Sequence, residues 1–90
     1  MTKALTEQML RSVFSSLDPP VLIALPRRAE KRRAVLERIA ALFSPGRDYT
    51  EKEVNAVLAP VFSDITLLRR ELIESGLLCR ERDGSRYWRT

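Results

Sequence analysis

A mainly α-helical domain closed by a small β-hairpin is the fold class that these 90 residues predict, on three observations. Thr50 followed by Glu53 has capping-box spacing, ahead of an apolar edge of Val54, Val57 and Leu58. After a break at Ala59-Pro60, a second apolar-periodic run ends at Gly76, where a helix end favours a residue that tolerates positive φ. Asp83-Gly84 then stands between two short extended runs, the strongest short-range hairpin signal. Helix, break, helix and hairpin in that order define a winged helix-turn-helix-like domain, here with an extra N-terminal helix.

Size and composition narrow the function. Ninety residues support one modest core and not two. With 44% hydrophobic and 31% charged residues the chain is ordinary for a folded domain. The longest apolar run, Val21 to Leu25, is far too short for a membrane span, and the N-terminus lacks a signal-peptide pattern. Cytoplasm is the expected compartment, which suits a single cysteine, Cys79, that cannot form an internal disulfide. Histidine is absent, which removes histidine acid–base chemistry and histidine-based serine triads; with one cysteine it also argues against structural zinc. There is no glycine-rich phosphate loop. The expectation is a non-enzymatic chain with no catalytic residue, no cofactor and no metal.

The elements follow in order. Met1 to Leu17 reads as an amphipathic helix, with Leu5, Met9, Leu10, Val13, Phe14 and Leu17 at three-to-four spacing and Thr2 or Thr6 as N-cap. Asp18-Pro19-Pro20 ends it, so residues 1–18 form an N-terminal segment packed on the domain or on a partner chain, and 19–90 the winged-helix-like domain. Val21 to Leu25 fits a strand or an extended packing segment. A second helix opens with Arg27-Arg28-Ala29-Glu30-Lys31-Arg32-Arg33, with Pro26 suited to its first turn, and buries Val35 or Leu36, Ile39, Leu42 and Phe43 before Ser44-Pro45-Gly46. Tyr49 and Val54 flank the Thr50–Glu53 box as a hydrophobic staple. Ser63 caps the following helix, Asp64 to about Glu74, and Leu77 after Gly76 reaches back to Leu72.

A two-residue type I′ turn at Asp83-Gly84 sets Cys79 opposite Trp88, Arg80 opposite Tyr87 and Glu81 opposite Arg86, the last an ion pair. The face carrying Trp88 is expected to cover the core.

Several of these residues together resemble a known bacterial family. They are Tyr49-Thr50-Glu51-Lys52-Glu53-Val54-Asn55, Asp64, Leu68-Arg69-Arg70-Glu71-Leu72, Gly76-Leu77-Leu78, Arg80, Asp83-Gly84-Ser85 and Tyr87-Trp88. The family is the domain-of-unknown-function family numbered two thousand and eighty-seven, and the resemblance runs from about Leu25 to the C-terminus. Members occur alone or joined to helix-turn-helix regulators, which implies a link to transcription. Val61-Phe62-Ser63 stands where the family pattern has a longer stretch with a histidine, so no role of that histidine carries over.

The charge points to anionic partners. Net charge is +4, and all but three of the sixteen basic residues are arginine. The bland alternative is that these charges only solvate the surface. The sharper reading is a nucleic-acid module with double-stranded DNA as partner, contacted by Arg27, Arg28, Lys31, Arg32, Arg33, Ser63, Arg70, Arg80, Arg82, Arg86 and Arg89. Arginines interleaved with Tyr87 could stack a base.

On a helical wheel the outer side of the helix from Asp64 to about Glu74 presents Ser63, Leu67, Arg70, Glu71 and Glu74, a slightly anionic reading surface. Most of the affinity is therefore expected from the flanking arginines. Tyr49, Thr50, Glu53, Gly76, Gly84 and Trp88 are expected to be structural, as is Arg69, turned inward to pair with Glu51 or Glu53. The alternative function is a non-enzymatic protein-interaction or dimerisation module, pairing with itself or docking on a regulator.

Overall fold

The computed structural model describes residues 3–90, with side chains from Thr6 onward. Four helices, α1 (Lys3–Val13), α2 (Ala29–Ala40), α3 (Glu51–Leu58) and α4 (Ile65–Glu74), are joined by five short strands. The strands are β1 (Phe14–Leu17), β2 (Pro20–Leu22), β3 (Asp48–Tyr49), β4 (Leu78–Arg80) and β5 (Tyr87–Arg89). β1 and β2 form one antiparallel pair, and the other sheet has the order β3-β5-β4. The architecture is therefore mixed, with more β structure than the single hairpin expected.

The N-terminal helix ends at Val13, short of the expected Leu17. Phe14–Leu17 becomes extended and pairs with Pro20–Leu22 around a cis Asp18-Pro19 bond, so Asp18 lies in the turn of this hairpin. Ser15 and Ser16 are weak helix residues, and the Ser15 hydroxyl donates to the Val21 carbonyl at 3.3 Å instead of serving a helix. Thr6 lies inside α1 and is not its N-cap; Thr2 and the Leu5 side chain lie outside the described residues. Leu10, Phe14 and Leu22 enter the common core, and the Leu22 amide donates to the Val61 carbonyl at 2.8 Å. The β1–β2 pair is thereby tied to the turn between α3 and α4.

α2 starts at Ala29, two residues later than expected. Arg28 is its extended N-cap residue, with no side-chain cap bond. The helix ends at Ala40, and tighter turn bonds from Leu42 to Ile39 and from Phe43 to Ala40 follow. That rotation buries Phe43 and leaves Leu42, expected in the core, 39% exposed.

α3 begins with the expected capping box. The Thr50 hydroxyl accepts from the Glu53 amide at 3.1 Å, and the Glu53 carboxylate accepts from the Thr50 amide at 2.9 Å. Tyr49 and Val54 are both buried beside it. The N-cap of α4 is Asp64 rather than Ser63: its Oδ1 accepts from the Leu67 amide at 3.0 Å. Gly76, at φ +78°, closes α4, with bonds from the Gly76 amide to Ile73 and from the Leu77 amide to Leu72.

The hairpin has the expected register, Cys79 opposite Trp88 and Arg80 opposite Tyr87. Its turn is different. Among the described residues no non-glycine has positive φ, so Asp83-Gly84 cannot form a type I′ turn; of the two, Gly84 alone has positive φ, at +74°. The Gly84 amide donates to Glu81 and the Glu81 amide to Arg86, making a four-residue loop that preserves the same register. The inward face is also the other one. Leu78 and Tyr87 are each 1% exposed, whereas Cys79 and Trp88 are only partly buried on the outside.

Candidate functional site

The basic stretch that opens α2 divides in two. Arg27, Arg28 and Lys31 are exposed, and their side chains make no hydrogen bond or ion pair among the described residues. Arg32 folds back, donating to the carbonyls of Pro26 at 2.9 Å and Arg27 at 3.1 Å, and lies 3.7 Å from Glu71. Arg33 pairs with Glu37 at 3.0 Å and donates to the Ser75 carbonyl at 2.6 Å, tying α2 to the end of α4. Arg32 therefore ties the start of α2 to the preceding loop carbonyls, and Arg32 and Arg33 together join α2 to α4.

The hairpin arginines divide the same way. Arg80 and Arg82 are exposed, with no side-chain partner among the described residues. Arg86 pairs with Glu81 at 2.6 Å and Asp48 at 3.3 Å, its guanidinium 4.6 Å from the centre of the Trp88 ring. The Glu81 hydrogen bond, followed by Asp48, holds the Arg86 pKa above its ordinary value. Arg89 donates to the Phe43 carbonyl at 3.1 Å. Tyr87 is buried, and its hydroxyl donates to Glu51 at 3.0 Å, so its ring is not available to stack a base.

Arg69 points inward as expected. It donates to Asn55 Oδ1 at 2.5 Å and lies 3.7 Å from Glu51, the same carboxylate that Tyr87 reaches. Glu53 is engaged elsewhere, by Thr50 and by Arg47 at 2.9 Å. The buried Tyr49 accepts the Ser44 amide at 2.7 Å and packs edge-on against Phe43.

α4 separates two grooves. One, of about 280 Å³, lies between α4 and the hairpin and is lined by Thr66, Arg69, Arg70 and Arg80 over Ile73 and Tyr87, with Glu74 as the acid in its lining. The other, of about 300 Å³, lies between α2 and α4. Glu71 borders this second groove, with its side chain only 17% exposed and paired with Arg32. The helical wheel placed Glu71 outward because it contains one helix; the neighbour that covers it is α2. Ser63 and Arg70 are exposed, Leu67 is half-buried, and Glu74 pairs with Arg70 at 4.0 Å. Thr66 and a lining role for Arg69 were missed. The signal was present, since Thr66 stands three and four residues before Arg69 and Arg70, neighbours on one helix face.

Among the described residues no group of three or more His, Cys, Asp or Glu is placed to hold a metal ion. No described helix is long and apolar enough to cross a membrane.

Fold and site together define a mixed α/β domain in which an arginine-lined groove separates the last helix from the last hairpin. The family model described as "Uncharacterized protein conserved in bacteria (DUF2087)" matches residues 21–89, and the chain belongs to that family. No curated protein and no solved structure matches it. The matched region starts in β2, slightly earlier than the sequence resemblance suggested, so α1 and β1 lie outside it yet pack against it.

Proposed function

We propose that this chain is a non-enzymatic, winged-helix-like module of transcription-regulator type that binds double-stranded DNA, its free arginines contacting phosphates. The order α2, β3, α3, α4, β4, β5, with β3 paired to β5, supports a winged-helix reading in which the hairpin is the wing. One observation carries the function: the outer edge of α4 and the arginine-bearing hairpin bound the same groove, with three arginines against one acid. Withdrawal of Glu71 to α2 removes one of the two glutamates that spoke against α4 as a reading helix. In this reading Thr66 and Arg70 approach the DNA from α4, Arg80 and Arg82 from the hairpin, and Arg27, Arg28 and Lys31 from the opposite flank.

The test is titration of a labelled mixed-sequence duplex at several salt concentrations. Neutralising about four phosphates should give a slope of log affinity against log salt of roughly −3 to −4. Absence of binding at low salt would remove the reading.

The second reading, a protein-interaction or dimerisation module, draws on Ile23, 60% exposed, and Leu42. Light scattering at rising concentration checks it: self-association that Ile23→Ser and Leu42→Ser abolish together would favour it over DNA.

A further inference from the structure

The groove between α4 and the hairpin has more structure than an exposed charge patch. Arg69 is held at its floor by Asn55 and Glu51, so its guanidinium is already oriented. Arg70 enters from the same helix, restrained only by an exposed pair with Glu74 at 4.0 Å. Arg80 enters from β4 with no partner among the described residues. The exposed Thr66 lies on the same wall and has a hydroxyl to donate. Even with Glu51 counted beneath Arg69 and Glu74 at the rim, one positive charge stays uncompensated. At about 280 Å³ the space is at the small end of ligand pockets, suited to one phosphate and little of what carries it.

We propose that this groove is a phosphate-binding pocket in which Arg69, Arg70 and Arg80 hold one phosphate group and Thr66 donates a further hydrogen bond. Arginine forks match phosphate oxygens, and three of them reach the pocket from two different elements. Arg69 thus has two roles: its inner edge joins α3 to α4, and its outer edge faces the ligand. The other concave basic surfaces are weaker candidates. The hairpin tip sets Glu81 and Asp83 against its two arginines, and the start of α2 has only exposed side chains of one helix. The inference deepens the DNA reading, since a backbone phosphate is one source of the ligand, but a phosphorylated small molecule is an equally valid source.

The experiment uses the full ¹⁵N-labelled chain, following arginine Nε–H and backbone amide resonances during titration with inorganic phosphate, with chloride at matched ionic strength as control. Saturable shifts at Arg69, Arg70, Arg80 and Thr66 with phosphate alone are expected. Arg80→Gln should weaken them about tenfold or more while the rest of the spectrum stays folded. Shifts that never saturate, or that are equally large at Arg27 and Arg28, overturn the pocket.

A mixed-sequence duplex forms the second arm. If it moves the same resonances and phosphate competes, the pocket stands and its ligand is the DNA backbone. If phosphate saturates the pocket and no duplex binds, the pocket stands with a free phosphorylated ligand and the DNA reading fails. If a duplex binds without moving these resonances and phosphate does not saturate them either, the DNA reading stands and the pocket is refuted.

Discussion

Glu53 shows how one exposed carboxylate fixes the start of a helix. Its carboxyl is held below the ordinary glutamate value, chiefly by the hydrogen bond from the Thr50 amide, with the Thr50 hydroxyl and Arg47 adding to the effect. Asp83 is lowered too, by its hydrogen bonds with Ser85. A carboxyl whose pKa is depressed in the folded state favours folding when ionised. That stability is present above the unfolded pKa and is lost as pH falls through the folded one, from about pH 4 downward. Urea midpoints should therefore be flat near neutrality and fall in acid, and Glu53→Gln should lose part of that acid dependence. Thr50→Ala should lower stability by about 1 kcal/mol at neutral pH. Arg69→Met removes the partner of Asn55 and a neighbour of Glu51, and should cost about 1–2 kcal/mol in thermal melts. An unchanged melting temperature would show that this network contributes nothing to stability.

At the scale of elements, the hairpin shows where alternation is silent. Leu77-Leu78 and Tyr87-Trp88 are adjacent apolar pairs, so either face of the hairpin has a large aromatic to bury. β3 pairing with β5 and the reach of Tyr87 to Glu51 on α3 select the Leu78–Tyr87 face. Tyr87→Ala should then cost about 3–5 kcal/mol and Trp88→Ala only about 1 kcal/mol; the reverse order in denaturant melts would contradict this packing. The N-terminal segment is equally committed. Phe14→Ala should cost about 3–5 kcal/mol out of a total of about 5–15 kcal/mol for a domain of this size. Deleting residues 1–17 removes both Leu10 and Phe14 from the core, and circular dichroism should show loss of the cooperative transition rather than only a change in oligomeric state.

For the whole molecule, free and engaged arginines should separate in experiment. Replacing Arg27, Arg28 and Lys31 with serine should reduce the salt slope of duplex binding by roughly 0.9 for each phosphate no longer neutralised, with melting temperature nearly unchanged. Replacing Arg32 and Arg33 should lower stability instead, since they hold α2 to α4. Signals that lie within a few residues were legible in the sequence: the Thr50–Glu53 box, the glycine cap at Gly76, the hairpin register and the inward turn of Arg69. Each is a local backbone requirement or a helical spacing, and neither needs a distant partner to be specified. The two-residue β3 was too short to have a period, and the β1–β2 pair was hidden by apolar spacing that also fits a helix. The family's pattern was readable from residues alone, and it covers most of the chain. Only the tertiary structure decided which hairpin face is buried, that Glu71 turns to Arg32, and that Thr66, Arg69, Arg70 and Arg80 line one groove. Those outcomes depend on which elements become neighbours, and that choice is made by the packing of the shared core.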